Sequence, residues 1–352
     1  MTLAQAARMI AAAVALSIAP PVAASWAQSG ATTAPVSLNG AGATFPAPLY
    51  KKWIAVYQAA HRNVSIAYDV VGSGEGVKRF IAETVDFAGS DEVLSDSDAA
   101  KVEAGAATVP VTAGTIVLAY NIPGVSGEIR LPRDVYPDIF AGTIRRWNDP
   151  RIQAANPGVR FPARDIAVVA RLDSSGTTAA FTRHLAAADP SWRTRGLGVG
   201  KLIGWPNRAM LATGNEGVAA RIKISEGGIG YVEYGFAKRL KLPMAALQNK
   251  SGAFVTPSET SAQHALSPRV VQVAELERLI VDPSAVNAYP IVSYSWMFLY
   301  RRYRDPAKAE AVRDFVGWGL AEGQQYGVEL GYIPLSADVV ALGRQVLDTV
   351  AK

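Results

Sequence analysis

The sequence predicts an α/β protein of two sheets, because short β-branched runs alternate with segments of helical spacing along the chain. Residues 64–71 alternate apolar and polar side chains, residues 115–120 and 166–169 are apolar, and a polar or glycine-containing loop follows each run. In such sheets ligands collect at the carboxyl ends of strands, above helix N-termini. Loops of this kind occur in two widely separated parts of the chain, which indicates two lobes that face one cleft.

The other elements follow the same alternation. Leu49, Trp53 and Tyr57 have helical spacing after a glycine-rich turn, and Ser95 with Asp98 forms a capping box for a later helix. Further helices are predicted from 77, over 131–140 and 181–187, from 214, and over 307–326 and 337–350. Further strands are predicted over 85–88, 229–232 and 291–300.

Length and composition limit the possible classes of protein. With 352 residues and 49% hydrophobic residues, the chain can hold two domains or one large one. It contains no cysteine, which excludes disulfides, a thiol nucleophile, a cysteine-ligated metal and a lipid anchor on cysteine. The net charge of +5 is mild and the basic residues are scattered, so the composition does not indicate a nucleic-acid-binding protein.

Residues 1–27 are predicted to be a secretory signal peptide. Residues 9–22 form an alanine-rich apolar run that contains two prolines, and a small-x-small pattern follows it. Cleavage is expected after Ala27, with Ala24 as the other candidate site. Since the run is too short for a membrane anchor, we expect a protein exported to the periplasm.

The loop at 171–178 joins an apolar strand to a segment of helical spacing. Its serine, glycine and threonine residues can direct several amide and hydroxyl donors to one point, where the helix N-terminus adds partial positive charge. Arg171 at the strand end supplies a full charge and a planar fork that suits an oxyanion. The alternative for this stretch alone is that Ser174, Ser175 and Thr177 only cap the helix.

Three further loops, at 43–45, 72–74 and 89–91, have similar chemistry. Together with 171–177 they offer many neutral donors, one cation and one acidic acceptor, Asp91. This set fits a small oxyanion that is held mainly by hydrogen bonds. A carboxylate repels a fully deprotonated anion, so Asp91 suits a ligand that still has a proton to donate to it. Alone, Asp91 is equally explained as a cap of the following helix.

Several longer motifs contain these loops. They are GAGATFPAP at 40–48, VDFAGSD at 85–91, RLDSSGT at 171–177, GYVEY at 230–234, FAG with RWND at 140–149, and GYIPL at 331–335. In these motifs the chain resembles the periplasmic phosphate-binding proteins of the phosphate-specific ABC transporter. The resemblance covers nearly all of the chain after about residue 37, and the first and third motifs are its most specific part.

The resemblance implies a two-lobed, type II-like periplasmic binding fold, in which each lobe is a mixed sheet flanked by helices and phosphate binds in the cleft between the lobes. The implied ligand contacts are Thr44, Phe45 through its amide, Ser73, Asp91, Arg171, Ser175, Gly176 and Thr177. Asp173 is implied to orient Arg171, and Asp91 to accept a proton that phosphate carries and sulfate lacks at neutral pH. Specificity would then include a repulsive element.

The resemblance also implies a domain organisation and partners. The expected parts are a linker at 28–36, lobe 1 at 35–114 plus 290–352, lobe 2 at 115–289, and a hinge near 114–115 and 289–290. The closed protein would deliver phosphate to inner-membrane permease subunits that work with a cytoplasmic ATPase. We expect a monomer without cofactor or metal that binds its ligand and is not an enzyme.

The chain departs from the family pattern at Gly74 and Glu75, where a serine and a glycine are common. Loss of the serine removes one donor. Glu75 is expected to point outward in the first helical turn, where an acidic residue is favourable. A Glu75 that faced the cleft would instead favour a neutral or cationic ligand over phosphate.

Other functions remain open at this stage. A protein of the same fold for arsenate, a phosphonate or a phosphate ester fits these loops, as does a sensor that presents its complex to a membrane kinase. A secreted phosphatase with Ser73 or Ser175 as nucleophile is disfavoured, because neither serine lies in a G-x-S-x-G motif. His61, His184 and His264 lie far apart and lack the spacing of metal ligands.

Overall fold

Strands and helices alternate throughout the computed structural model, which describes residues 34–206, 208–266 and 272–351. The strands are β1 (Val36–Gly42), β2 (Val64–Val70), β3 (Phe87–Ser90), β4 (Ala106–Asn121), β5 (Arg130–Leu131), β6 (Ala167–Arg171), β7 (Met210–Ala212), β8 (Gly228–Glu233), β9 (Ala246–Gln248), β10 (Phe254–Val255) and β11 (Val292–Tyr300). The predicted signal peptide and most of the predicted linker lie outside the described residues.

The helices connect these strands. They are α1 (Ala47–Ala60), α2 (Ser73–Ile81), α3 (Asp96–Ala99), α4 (Tyr136–Phe140), α5 (Pro150–Ala155), α6 (Gly176–Ala188), α7 (Ser191–Thr194), α8 (Gly214–Ile224), α9 (Tyr234–Arg239), α10 (Glu259–Gln263), α11 (Val273–Leu279), α12 (Pro306–Leu320), α13 (Gly327–Leu330) and α14 (Ala337–Leu347). A 3₁₀ turn spans Glu322–Tyr326. Within the described ranges, no helix has the length and apolar character that crossing a bilayer requires.

The main sheet has eight strands in the order β2-β1-β3-β11-β4-β8-β6-β7. β1 runs parallel to β2 and β3, and β6 runs parallel to β7 and β8, whereas the central pairs are antiparallel. A second sheet has the order β10-β9-β5. The mixed sheets expected for the two lobes are therefore joined into one continuous sheet.

β4 is the strand that joins them. It pairs with β11 over residues 106–115 and with β8 over residues 116–121. Nearly all of β4 and every residue of β11 are buried, which explains their almost continuous apolar sequences. The loops that follow β1, β2, β3 and β6 contain the candidate binding residues, as expected for the carboxyl ends of strands.

Helices cover the sheet with the apolar faces that the sequence predicts. α1 buries Leu49, Trp53 and Tyr57, and the Trp53 indole donates a hydrogen bond to the carbonyl of Gly323 at 2.7 Å. α2 packs on β1 and β3, whereas α8 packs on β6 and β8. Ser95 accepts the predicted capping bond from the amide of Asp98 at 3.1 Å.

Two helix predictions were wrong in extent. The helix expected over 131–140 covers only Tyr136–Phe140, because Leu131 precedes a proline, which favours an extended backbone, and belongs to β5. The long helix expected over 307–326 ends at Leu320 and continues as the separate 3₁₀ turn. The strand expected over 115–120 is only the last part of β4, which begins nine residues earlier, at Ala106. The remaining predicted strands and helices are present, with ends that shift by up to about five residues.

Candidate functional site

Six polar side chains at or just after the carboxyl ends of β1, β2, β3 and β6 come together in a buried group. These residues, which we call the polar cluster, are Thr44, Ser73, Asp91, Arg171, Ser175 and Thr177, and each is at most 5% exposed. They come from both of the sequence regions that supplied the predicted loops. Polar groups buried to this degree require partners or a ligand.

Ser73 and Gly176 form a direct contact between these two regions. The Ser73 hydroxyl oxygen accepts hydrogen bonds from the amides of Gly176, at 3.1 Å, and Asp91, at 3.3 Å. The Thr177 hydroxyl donates to Asp91 Oδ2 at 3.3 Å. A further backbone bond runs from the Gly74 amide to the Ser174 carbonyl at 3.0 Å. The loops thus meet directly in this structure.

The N-terminus of α6 lies inside the cluster. Ser175 is its N-cap, and the Ser175 hydroxyl oxygen accepts a hydrogen bond from the amide of Thr178 at 3.1 Å. Ser175 therefore caps the helix, as the alternative interpretation expected. Its hydroxyl proton is still available to donate a hydrogen bond to a ligand. Thr177 is not a cap, because its hydroxyl contacts Asp91.

Arg171 is the guanidinium of the cluster, and its side chain is 2% exposed. Its Nε donates to Asp173 Oδ1 at 2.8 Å, and its Nη2 contacts Asp173 Oδ2. Burial opposes ionisation of Asp173, but the hydrogen bonds from Arg171 outweigh this and lower the Asp173 pKa. Arg171 Nη1 donates to the Thr177 hydroxyl at 3.4 Å, so the guanidinium points toward the cluster while Asp173 holds its other edge.

The structure accounts for both departures from the family pattern, at Gly74 and at Glu75. A Cβ at Gly74 would lie 2.0 Å from Ser174 Oγ, so Ser174 occupies the space that a serine at position 74 would need. Glu75 pairs with Arg79 at 3.0 Å and its side chain is 40% exposed. The expected outward orientation of Glu75 is confirmed, and this carboxylate does not oppose an anion in the cluster.

Asp91 is the acidic member of the cluster. Burial raises its pKa to about 7, although hydrogen bonds from Ser295 and Thr177 and the charge of Arg171 favour the ionised form. The Ser295 hydroxyl donates to Asp91 Oδ1 at 3.0 Å. A carboxyl group with this pKa can accept a proton from a bound ligand, or donate one to it, near neutral pH.

The raised pKa predicts a pH dependence of stability. Between about pH 4 and pH 7 the unfolded chain loses the Asp91 proton while the folded, ligand-free protein keeps it, so the free energy of unfolding falls as pH rises, by at most ~1.4 kcal/mol per pH unit. Asp91→Asn removes this contribution. Urea unfolding at pH 5 and pH 7 should therefore show a smaller pH effect in the variant, and identical pH effects would contradict the assignment.

Sequence reasoning missed Asn215, which lies in the first turn of α8 and is 1% exposed. Its Nδ2 donates to Thr44 Oγ1 at 2.9 Å and to Thr177 Oγ1 at 3.2 Å. Ser295 and Tyr231 were also missed, and the Tyr231 hydroxyl accepts from the Arg171 amide at 3.0 Å. A glycine–asparagine pair at the start of a predicted helix was the available signal for Asn215.

A metal site would require several histidine or carboxylate side chains that converge on one point. Among the described residues, no group of three or more histidine, aspartate or glutamate side chains is arranged to hold a metal ion. His184 is buried against Tyr136, with 2.9 Å between His184 Nε2 and the Tyr136 hydroxyl, and burial lowers its pKa to about 4. His61 packs on Tyr57.

Comparison with known proteins gives consistent results. A family described as "PBP superfamily domain" matches residues 29–322. The phosphate-binding protein PstS of Pasteurella multocida is 35% identical over 311 residues, which cover 88% of this chain and 89% of that protein. PstS of Methanocaldococcus jannaschii is 35% identical over 338 residues, which cover 90% and 86%.

A solved structure shares the fold. The high-affinity periplasmic phosphate-binding protein PfluDING, bound with phosphate, superposes with a TM-score of 0.73 at 23% identity, and the match covers 88% of this chain and 93% of that one. The chain is therefore a member of the PBP superfamily, and the predicted two-lobed periplasmic binding fold is confirmed. Within the superfamily, it belongs to the family of the phosphate-binding proteins PstS.

Proposed function

We propose that this protein captures inorganic phosphate and delivers it to the membrane permease of an ABC importer. The observation that carries the proposal is the polar cluster, in which one guanidinium, several hydroxyl groups and one carboxyl group are buried together, and the Thr177 hydroxyl links Arg171 to Asp91. The PstS relatives are named phosphate-binding proteins, which supports the same ligand. The chemistry is capture alone, and the protein acts as a monomer in the periplasm.

We assign the ligand contacts to the predicted residues. They are Thr44, the amide of Phe45, Ser73, Asp91, Arg171, Ser175, the amide of Gly176, and Thr177. The Phe45 ring is buried beside Tyr332, whose hydroxyl donates to the Phe45 carbonyl at 2.6 Å, so the amide is the group that Phe45 offers. Asp173 positions Arg171 and does not contact the ligand.

Phosphate fits the cluster better than sulfate because of Asp91. At neutral pH phosphate still carries a proton, which it can donate to Asp91 in the fraction of molecules where this carboxyl, with its pKa of about 7, is ionised. Sulfate has no such proton, so its lone pairs would face Asp91 without a hydrogen bond. A buried acceptor without a donor is costly, and this repulsion is the source of the selectivity.

Capture requires that the cluster opens, and we propose the two predicted lobes as the moving parts. Lobe 1 comprises residues 35–114 and 290–352, and lobe 2 comprises residues 115–289. The change of partner strand along β4, from β11 to β8 after residue 115, supports a hinge at this point. Thr44, Ser73 and Asp91 belong to lobe 1, and Arg171 and the start of α6 belong to lobe 2.

The test of this function is calorimetry on phosphate-stripped protein with phosphate, arsenate and sulfate at neutral pH. Tight phosphate binding without sulfate binding is expected, and arsenate serves as the competing oxyanion. In Asp91→Asn, the phosphate-to-sulfate affinity ratio should fall by about two orders of magnitude, because the amide can donate to either anion. Asp69→Asn, at an exposed carboxylate, is the control. Preferential binding of sulfate by the unaltered protein would reject the proposal.

Closure should depend on a charged group beside the cluster. Glu92 of lobe 1 contacts Arg183 and lies 3.1 Å from Lys201 Nζ, both in lobe 2. Glu92→Gln removes this attraction without touching the ligand, so phosphate should dissociate about tenfold faster. Stopped-flow dissociation measures this rate, and Glu83→Gln, which breaks a pair within lobe 1, is the control. An unchanged rate would contradict a role of Glu92 in closure.

A further inference from the structure

We propose that Asn215 selects inorganic phosphate over phosphate monoesters by closing the wall between the polar cluster and a neighbouring groove. The inference rests on the proposed function. It concerns a place where the cluster borders a groove large enough for an organic substituent.

The groove, which we call the lateral groove, has a volume of about 750 Å³. Its lining includes apolar side chains such as Ile54 and Phe236, and the charged residues Lys51, Glu216 and Arg239. Thr44, a member of the polar cluster, lines it as well, and so does Asn215, which contacts Thr44 and Thr177 of the cluster. These two side chains therefore form the wall between the polar cluster and the lateral groove.

Hydrogen bonds hold the two side chains of this wall together. Thr44 Oγ1 accepts from Asn215 Nδ2 at 2.9 Å and from the Asn215 amide at 3.2 Å. Asn215 Nδ2 also donates to Thr177 Oγ1 at 3.2 Å. The carboxamide thus bridges hydroxyls from both sequence regions of the cluster, and it is 1% exposed.

The orientation of the Asn215 carboxamide is fixed from behind. Its Oδ1 accepts a hydrogen bond from the amide of Glu233 at 2.9 Å, and an amide N–H can only donate, so the NH₂ group must face the cluster. Gly214 has φ of +68° and its amide donates to Asp173 Oδ1 at 2.9 Å. The start of α8 is therefore tied to the same aspartate that positions Arg171.

The wall distinguishes two classes of ligand. Inorganic phosphate ends at its fourth oxygen, so it needs no exit from the closed cluster and can bond to the Thr44 hydroxyl. A monoester carries carbon on that oxygen, and its substituent needs an exit from a cluster that is almost fully buried. The lateral groove offers volume and apolar surface for such a group, and the Asn215 side chain blocks the way.

The experiment compares phosphate and phenyl phosphate by calorimetry in four proteins. The unaltered protein should bind phosphate and reject the ester. Asn215→Ala should weaken phosphate about tenfold and gain measurable ester binding, so that the affinity ratio falls about a hundredfold. Asn215→Asp keeps the volume of the wall and loses donors, so it should weaken phosphate and still reject the ester. Asn121→Ala, whose amide bonds the Lys223 carbonyl, is the control.

The outcomes separate the two proposals. If the unaltered protein binds no phosphate, the proposed function fails. If it binds phosphate but Asn215→Ala rejects the ester as strongly as before, the role of Asn215 in selectivity is overturned. Asn215→Ser leaves a smaller side chain that retains polar groups, so it replaces the alanine variant if that variant does not fold, with the same expected direction and the same contradicting result.

Discussion

Arg171→Met should lower the affinity for phosphate by a factor between about 30 and several thousand. Arg171 is the guanidinium of the polar cluster and is 4% exposed, so its charge meets the ligand with little screening by water. Removing one partner of a buried, hydrogen-bonded charge pair costs about 2–5 kcal/mol. The substitution also leaves Asp173 without its partner, which places an uncompensated carboxylate near the incoming anion.

The comparison with lysine separates charge from geometry. Arg171→Lys keeps a cation but cannot hold Asp173 with two nitrogens while a third contacts Thr177, so its affinity should be intermediate. Arg146→Met, at an exposed arginine that pairs with Asp165, is the control and should bind normally. Isothermal titration with phosphate measures all three. A loss smaller than threefold in Arg171→Met would contradict the role of Arg171.

Gly176→Ala should abolish tight phosphate binding while the ligand-free protein remains folded. A Cβ at this position would lie 2.6 Å from Ser73 Oγ and 2.7 Å from Asp91 Cβ. Both residues belong to the other of the two proposed lobes. The added methyl group should therefore keep the two proposed lobes apart. Within its own helix the change is mild, because alanine favours helix over glycine by roughly 0.5–1 kcal/mol.

Thermal unfolding with and without phosphate distinguishes a loss of phosphate binding from a loss of folding stability. For Gly176→Ala the melting temperature without ligand should equal or exceed that of the unaltered protein, and the increase caused by phosphate should disappear. Gly217→Ala in α8 is the matched control, since a Cβ there would meet its nearest neighbour at 3.6 Å, an ordinary contact. A full phosphate-induced increase in Gly176→Ala would show that the loops do not close on the ligand in this way.

Local signals in the sequence predicted most of the fold. The strand and helix on either side of the 171–178 loop, and the helix that begins at Ala47, follow from hydrophobic periodicity and turn residues. The joining of both sheets through β4 was not predictable, because one long buried strand with two different partners has the same pattern as a strand with one. The helix over 131–140 was predicted too long because Leu131 precedes a proline, which favours an extended backbone despite the helical spacing of the apolar residues.

The residues of the candidate site were likewise predictable only where local sequence signals mark them. Arg171, Asp91 and the small polar loop residues stand out because each lies at the end of a predicted strand. Asn215 does not, since its importance comes from contacts with Thr44 and Thr177, which are distant in the sequence. The contact between Gly74 and Ser174 is likewise visible only in three dimensions, and it explains a departure from the family pattern that the sequence left unexplained.

The most direct test of the central claim is equilibrium dialysis of phosphate-stripped protein against radiolabelled phosphate at neutral pH, with sulfate in large excess. The account predicts saturable binding of one phosphate per chain that sulfate does not displace, because Asp91 accepts a proton that sulfate lacks. Absence of saturable binding, or displacement of phosphate by sulfate, would contradict the account.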